Sequence, residues 1–163
     1  MGYYDSIAKG YDELHKGEQF KKLTIIKKHI KIKKSARLLD LGCGTGISSK
    51  FNCFVVGIDP SFNLLRQNKI KRKIMGTAEF LPFKNGSFDC IVSVTAIHNF
   101  SDLQKAIGEM KRVCNKDIII SVLKKSGKFD TIKTLIAKNL KIKKVVEEDK
   151  DTIFFCQNHK VYI

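Results

Sequence analysis

The 163-residue chain contains no tryptophan and only two prolines, and its acidic residues number 16 against 31 basic ones. It has no stretch of eighteen uncharged apolar residues, which argues against a membrane-spanning helix. Near the start, Asp5, Asp12 and Glu13 occupy the region where a secretory signal peptide would be apolar. We therefore expect a cytoplasmic protein.

Cysteine pairs with redox or metal-ligand spacing are also missing. The chain has five cysteines, an odd number, and no C-x-x-C pair occurs. Four of the five lie in or beside apolar segments that we interpret as strands, so we expect buried reduced thiols and neither a disulfide framework nor a zinc site. His15, His29 and His159 cluster neither with each other nor with the cysteines, so we expect no bound metal.

The length and composition fit one domain. A chain of 163 residues with 43% hydrophobic residues can bury a core of its own but leaves no room for a second domain. Repeats, low-complexity tracts and linkers do not occur. We expect a single domain over residues 1–163 with a helical lead-in over residues 1–34.

Apolar periodicity predicts alternating helices and strands. Within residues 18–33, four apolar residues recur at helical spacing, with lysines on the other face. Further helices are predicted from about 101 to 113 and near 128–139; Ser101 and Gln104 would form a capping box for the first of these. The predicted strands lie at about 36–41, 53–58, 73–76, 88–94, 117–123, 141–148 and 152–157.

The arrangement of these elements indicates a mixed sheet. Strands that alternate with helical segments form a parallel sheet with right-handed crossovers. The last two strands are joined only by a short polar turn at Asp149 and Lys150, so they must pair antiparallel.

The most informative segment runs from Leu38 to Gly46, where an apolar run ends in a G-x-G-x-G turn. A second apolar run ends in Asp59, thirteen positions after Gly46. This is the layout of a βαβ unit that holds a nucleoside-bearing cofactor. Gly42, Gly44 and Gly46 permit positive φ and leave no Cβ to block a ligand. We expect a helix to begin directly after the turn, with N-terminal amides that favour an anionic group.

Asp59 follows the second strand, where its two oxygens can accept hydrogen bonds from both hydroxyls of a ribose and would repel a 2′-phosphate. Two alternatives stay open at this point. One is a tight strand-to-helix turn without a ligand. The other is an NAD or FAD site, although the spacing differs from the G-x-G-x-x-G of dinucleotide sites.

Residues 38–46 and 57–61 resemble the first two motifs of class I S-adenosylmethionine-dependent methyltransferases, and residues 78–100 resemble further motifs in the same order. Residues 4–12 resemble the lead-in of the subgroup that includes ubiquinone and menaquinone biosynthesis methyltransferases and some wobble-uridine tRNA methyltransferases. The resemblance implies an α/β, Rossmann-like, doubly wound and mostly parallel sheet. Its strand order would be 3-2-1-4-5-7-6, with an antiparallel last strand.

The resemblance also implies S-adenosylmethionine as the cofactor and S-adenosylhomocysteine as the product. Asp40 would orient the glycine turn and approach the methionine amino group, while the backbone of the turn would cradle the methionine. The cofactor-binding residues implied in this way are Tyr11, Asp40, Gly42, Cys43, Gly44, Gly46, Asp59, Pro60, Thr77, Ala78, Glu79 and Thr95.

Four side chains near the implied site each have a structural alternative. Glu79 contacts the adenine edge or is a surface carboxylate, and Thr95 faces the cofactor or is a simple strand-end hydroxyl. Tyr11 closes over the sulfonium through a cation–π contact or packs the N-terminal segment. His98 is the candidate catalytic residue, as a base or by orienting a nucleophile, or it is a packing residue.

The net charge of +15 raises the question of a nucleic-acid partner. Basic runs at 31–34, 69–73 and 141–144 precede strands, so they lie at the edge opposite the one where such sheets bind ligands, and we interpret them as a solvated face. An RNA partner would need the lysines of the ligand-binding edge. These are Lys84, Lys124, Lys125 and Lys128.

Three hypotheses for the function follow. The first is a methyltransferase that acts on a small metabolite, and the second is a methyltransferase of tRNA or another RNA. The third is a cofactor-binding subunit that is non-catalytic or works only with a protein partner.

Overall fold

The structure is a computed structural model that describes the backbone of residues 11–159 and the side chains of residues 15–159. The α-helices are α1 (Tyr11–His29), α2 (Phe62–Gln67), α3 (Leu103–Val113) and α4 (Phe129–Asn139). The strands are β1 (Arg37–Leu41), β2 (Phe54–Asp59), β3 (Lys73–Met75), β4 (Phe88–Val94), β5 (Cys114–Leu123), β6 (Lys141–Glu147) and β7 (Asp151–Gln157). The predicted lead-in before Tyr11 lies outside the described residues.

The seven strands form one sheet in the order β3-β2-β1-β4-β5-β7-β6. The pairs β1–β2, β1–β4, β2–β3 and β4–β5 are parallel. Strand β7 runs antiparallel to both β5 and β6. The Rossmann-like fold and the predicted strand order are therefore confirmed. The carboxyl ends of β1, β2, β4 and β5 meet at one edge of the sheet, where such folds bind their ligands.

Helices cover both faces of the sheet. On one face, α3 and α4 bury Ile107, Met110 and Ile132 against the central strands. On the other face, Ile26 of α1 packs into a second apolar cluster that includes Leu38. Full burial of one such side chain contributes about 1.5–3 kcal/mol, so these two layers supply the main driving force for folding.

The crossover from β1 to β2 corrects the prediction of a helix after the glycine turn. Residues 42–53, all of them described, contain only one short 3₁₀ turn, Ile47–Ser49. A parallel crossover needs about a dozen residues, and the glycine turn uses several of those available, so too few remain for an α-helix. Helix α1 packs against the 3₁₀ turn instead.

Two helix boundaries also differ from the predictions. Helix α1 ends at His29, before residue 33, and begins well before residue 18. The N-cap of α3 is Asp102 and not Ser101, since the Asp102 carboxylate accepts the Lys105 N–H at 2.9 Å. No helix within residues 11–159 is long and apolar enough to span a bilayer.

The cysteines are free thiols, and four of them are buried, as predicted. Cys53 is the one that is only half-buried. Burial raises the pKa of Cys114 and of Cys156 to about 12, so both thiols stay protonated and unreactive at neutral pH.

Gly57 in the middle of β2 provides a test of this packing. A Cβ there would lie 2.6 Å from Ile70 Cδ1 and 2.7 Å from Cys43 Sγ. We expect Gly57→Ala to lower the free energy of unfolding by about 1–3 kcal/mol through overpacking. The matched control is Gly108→Ala in α3, where a Cβ has no neighbour within 4 Å. Because alanine has a higher helix propensity than glycine, the free energy of unfolding of the control should rise by up to about 1 kcal/mol, as measured by urea unfolding. Equal effects of the two changes would contradict this account.

Candidate functional site

The glycine turn after β1 folds back across the end of β2. The N–H groups of Gly42 and Cys43 both donate to the carbonyl of Ile58, at 2.9 and 3.1 Å. Gly42, Gly44 and Gly46 have φ values of 78°, 49° and 88°, which are in the left-handed region that disfavours residues with a Cβ. The turn therefore has the conformation for which the sequence selects glycine.

Asp59, at the end of β2, is hydrogen-bonded to this turn. Its Oδ2 accepts the Gly44 N–H at 2.9 Å, and its Oδ1 accepts the Ser61 N–H at 2.8 Å. The carboxylate is 7% exposed, next to the exposed Pro60. The glycine turn and the second-strand acid thus meet at one place.

The space beside two of the glycines is filled by protein side chains, which corrects the expectation that it is open to a ligand. A Cβ on Gly42 would lie 2.5 Å from Ala96 Cβ, and a Cβ on Gly46 would lie 2.5 Å from Asn68 Oδ1. These two glycines are required for the packing of the turn itself.

Asn68 is a site residue that sequence reasoning missed. It caps the end of α2 and is 1% exposed. Its Nδ2 donates to the Gly44 carbonyl at 2.9 Å, and its Oδ1 accepts the Ile70 N–H at 2.9 Å. An asparagine in a polar stretch carries no sequence signal for this role, because its partner lies 24 positions away.

Asp40 lies in β1, fully buried beneath the turn. Its Oδ2 accepts the hydroxyls of Ser48 at 2.8 Å and Ser49 at 2.5 Å. Its Oδ1 is buried with no hydrogen-bond partner among the described residues. Burial is the main cause that raises the Asp40 pKa to about 6; the nearby Asp59 also raises it, and the two serine hydroxyls oppose the shift. An unpaired carboxylate oxygen beside the glycine turn fits a cationic donor such as an amino group.

The segment after β3 is held to the start of α3. Thr77 is exposed and Ala78 is buried. Glu79 is 7% exposed, and its Oε1 accepts the N–H groups of Ser101 at 2.7 Å and Asp102 at 3.2 Å. The alternative of a solvated surface carboxylate is therefore wrong, because Glu79 fixes the loop that precedes α3.

Thr95, just after β4, has a φ of 52°, and it is the only non-glycine residue with positive φ in the described part of the chain. This conformation is strained for a β-branched residue. The Thr95 N–H donates to Ser121 Oγ at 2.8 Å, and its hydroxyl donates to Asp151 Oδ2 at 2.7 Å. These bonds engage the Thr95 side chain within the protein, in agreement with its structural alternative, and they hold the strained turn.

A buried ion pair completes this cluster. Lys22 of α1 is 1% exposed and Asp151 of β7 is fully buried, with Lys22 Nζ 3.0 Å from Asp151 Oδ1. The same Nζ donates to Thr95 Oγ1 at 2.8 Å, and Ser121 Oγ donates to Asp151 Oδ2 at 3.0 Å. Sequence reasoning missed Lys22 and Asp151, which resemble ordinary surface residues of a lysine-rich helix and a polar turn.

His98 lies in the 3₁₀ turn Ile97–Asn99 that follows Thr95. Its Nδ1 is buried and has no hydrogen-bond partner among residues 15–159. Burial lowers the His98 pKa, Lys128 and Lys22 lower it further, and only Asp151 raises it. The ring is therefore neutral at pH 7, and its Nε2 lies 3.4 Å from the Asn99 Nδ2.

The remaining predicted residues are placed as follows. Tyr11 begins α1, and its side chain lies outside the described residues. Lys84 and Lys125 are exposed. Lys84 precedes β4 in a loop bonded to the end of α3, so it lies at the edge opposite the site, and the prediction that placed it at the ligand-binding edge is wrong. Lys124 Nζ lies 2.9 Å from Glu147 Oε2, and Lys128 Nζ donates to the Phe100 carbonyl at 3.2 Å. Two of the four lysines proposed for RNA thus make contacts within the protein.

The buried ion pair of Lys22 and Asp151 predicts that substitutions of these two residues have strongly coupled effects on stability. Lys22→Met leaves the Asp151 carboxylate without its cation, and we expect a loss of about 3–5 kcal/mol in the free energy of unfolding, with a similar loss for Asp151→Asn. The double variant should lose clearly less free energy of unfolding than the two single variants lose together, as measured by a double-mutant cycle. Lys21→Met, which removes a cation from the exposed pair with Asp149, is the control and should change stability little. Additive losses for Lys22 and Asp151 would contradict the pairing.

The raised pKa of Asp40 predicts a pH dependence. Its value of about 6 in the folded protein lies above its ordinary 3.8, so the folded state binds the proton more tightly than the unfolded state. The free energy of unfolding should therefore fall by about 2–3 kcal/mol as the pH rises from 4 to 7. In Asp40→Asn, this fall in the free energy of unfolding should be absent when urea unfolding is measured across the same pH range. The same slope in both proteins would contradict the assignment.

Comparison with known proteins was made at the level of sequence and fold. The methyltransferase domain family matches residues 39–129. An uncharacterized protein of Methanocaldococcus jannaschii is 36% identical over 161 residues, covering 93% of this chain and 62% of that protein. The demethylmenaquinone methyltransferase of Staphylococcus haemolyticus is 30% identical, covering 76% of this chain and 59% of that enzyme. The chain thus spans about three fifths of the length of these relatives.

A solved structure matches over nearly the whole fold. A chain of the complex between the Haloferax volcanii Trm112 methyltransferase activator and a methyltransferase superposes with a TM-score of 0.82. The match covers 98% of this chain and 99% of that one at 12% identity, so it shows the fold alone. Because the family match covers more than half of the sequence, this chain belongs to the methyltransferase domain family, as a class I member whose cofactor is S-adenosylmethionine.

Proposed function

We propose that residues 1–163 form one methyltransferase domain that transfers a methyl group from S-adenosylmethionine to a small-molecule acceptor. The observation that carries the proposal is the meeting of the glycine turn with two buried carboxylates, Asp40 and Asp59, at the carboxyl ends of adjacent strands. Such a place can hold a nucleoside and a charged group at a fixed separation.

The proposed roles of the two acids differ because their surroundings differ. Asp59 accepts the ribose hydroxyls, because the N–H groups of Gly44 and Ser61 hold its carboxylate at the end of β2 beside the glycine turn. Asp40 offers its unpaired Oδ1 to the methionine amino group. The positive charge of that group stabilises the ionised form of Asp40 and so lowers its pKa from about 6.

For the adenine, we propose the segment that leads away from β3. Pro60 and Thr77 are exposed at the ends of β2 and β3, with Ala78 buried behind them. The Glu79 carboxylate already holds the N–H groups of Ser101 and Asp102, so its contribution is to fix this segment. The backbone of Thr77 and Ala78 then supplies the hydrogen-bonding groups for the base.

The cofactor supplies a methyl group already activated on a sulfonium, so the protein has mainly to bind and orient the acceptor. Thr95 contributes through its backbone, because Lys22 and Asp151 engage its hydroxyl. We propose that neutral His98 accepts a proton from an acceptor that must lose one.

A small acceptor is favoured over RNA by the lysines at this edge. Lys124 is paired with Glu147, and Lys128 is bonded to the Phe100 carbonyl. An RNA site needs cations that are available to phosphates, and these two are already engaged.

A protein partner is the second candidate, and the exposed edge of the sheet favours it. Five exposed large hydrophobic side chains cluster around β2, β3 and their following loops: Phe54, Phe62, Ile74, Met75 and Phe80. Exposed cations flank them, namely Arg66, Lys69, Lys71, Arg72 and Lys73. β3 is an edge strand, which can accept another strand. We propose a small acidic activator protein as the occupant, by analogy with the activator complex of matching fold.

The experiment combines methyl-labelled S-adenosylmethionine with size-fractionated extract of the source organism. We expect label in the small-molecule fraction. Asp59→Ala should bind S-adenosylhomocysteine about 30- to 150-fold more weakly in calorimetry, because a charge-assisted bidentate contact is worth on the order of 2–3 kcal/mol. Asp89→Ala, which removes a carboxylate at the opposite edge of the sheet, is the matched control and should bind normally.

The other outcomes distinguish the alternatives. Label in RNA, together with salt-sensitive tRNA binding, would replace the small-acceptor proposal with RNA methylation. Label that requires an added protein fraction, and that is lost in Met75→Asp, would establish the partner-dependent form. Cofactor binding without labelling of any fraction would show a non-catalytic subunit, and no cofactor binding would refute the whole assignment.

A further inference from the structure

Gln19 of α1 is a buried polar residue that none of the predicted roles uses. It is 7% exposed, and its Oε1 has no hydrogen-bond partner among the described residues. It lines a narrow cavity beside the glycine turn, together with Gly42, Thr45 and Ser48. A buried amide oxygen without a donor is costly, so its retention beside this turn calls for a bound group that supplies the donor.

The position of Gln19 is set by the rest of α1. Lys22 and Leu23 are three and four residues further along the helix, and Ile26 follows one turn later; all of them are buried on the same face. The ion pair of Lys22 with Asp151 and the packing of Ile26 fix the rotation of the helix. Gln19 is therefore held against the glycine turn by contacts that it does not make itself.

A second unpaired oxygen lies close to the same segment. Asp40 Oδ1 is buried and unpartnered, and the Asp40 carboxylate accepts the hydroxyl of Ser48, which also lines the Gln19 cavity. Both unpaired atoms are acceptors, and one carries negative charge. A carboxylate or phosphate would be repelled here, whereas a primary ammonium has three donors for such acceptors.

We infer that Gln19 binds the α-ammonium of the cofactor's methionine moiety, with its Oε1 and Asp40 Oδ1 as two acceptors. The inference rests on the proposed function and extends it to a residue of the N-terminal helix. It makes α1 part of the cofactor site. It also assigns the contact to the amino-acid end of the cofactor, leaving the adenosine end to Asp59 and the segment after β3.

Isothermal titration calorimetry with two ligands distinguishes contacts to the amino-acid end of the cofactor from contacts to its adenosine end. S-Adenosylhomocysteine carries the amino-acid group, whereas 5′-methylthioadenosine has the adenosine and the sulfur without it. We expect Gln19→Leu to weaken the binding of S-adenosylhomocysteine by about 10-fold or more, since a hydrogen bond to a charged group is lost. Its affinity for 5′-methylthioadenosine should stay within about twofold of the unchanged protein, because adenosine contacts remain.

Two further variants complete the design. Gln19→Glu keeps an acceptor at the same reach and should retain S-adenosylhomocysteine binding, so it tests the inference even where the leucine variant folds poorly. Gln104→Leu, which changes an exposed glutamine of α3, is the matched control and should bind both ligands normally. Thermal unfolding of each variant reports whether the fold is retained.

Several results would overturn the inference. Equal weakening of both ligands in Gln19→Leu would indicate a general disturbance of the site, and no weakening would exclude the contact. Loss of S-adenosylhomocysteine binding in both Gln19→Leu and Gln19→Glu would show that the amide donates to the cofactor carboxylate instead. Failure of the unchanged protein to bind either ligand would refute the proposed function itself, which is a different outcome.

Discussion

The hydrogen bond from the Gly44 N–H to the Asp59 carboxylate joins the two strand ends on which the site depends. It connects the turn after β1 with the last residue of β2, so neither can move without the other. Asn68 supports the same turn from the other side through the Gly44 carbonyl. Since Asp59 is nearly buried, these bonds form in a medium of low dielectric, where an unpaired carboxylate would be costly. The glycine turn, Asp59 and Asn68 therefore hold one another in place.

The short crossover explains why α1 matters so much in this protein. With only a 3₁₀ turn between β1 and β2, the N-terminal helix packs where a crossover helix is expected. Its anchor is the buried pair of Lys22 and Asp151, which also holds Thr95 in a strained conformation. The pair thus links α1, β7 and the turn after β4. Ala96, next to Thr95, fills the space beside Gly42, so this cluster and the glycine turn pack against each other.

Most of the fold was predictable from local patterns, whereas the contacts within the site were predictable only in part. The glycine turn and the position of Asp59 depend on periodicity and spacing, which a sequence displays directly. The strand order was implied by the resemblance to class I methyltransferases. The helix after Gly46 was predicted wrongly, because the general layout of such units outweighed the small number of residues available. The sequence did not predict the partners of Glu79, because these N–H groups of two residues before α3 depend on how β3 and α3 lie in space.

By itself, the sequence determined the family, the sheet and the class of cofactor, because glycines with positive φ and an acid at a strand end are needed at fixed spacing along the chain. Only the tertiary structure decided which of its many lysines is buried and which acidic residue pairs with that lysine. Lys22 and Asp151 are separated by most of the chain, and neither differs in its neighbours from exposed residues of the same type. Burial and pairing are properties of the folded packing, where the desolvation of a charge selects its partner.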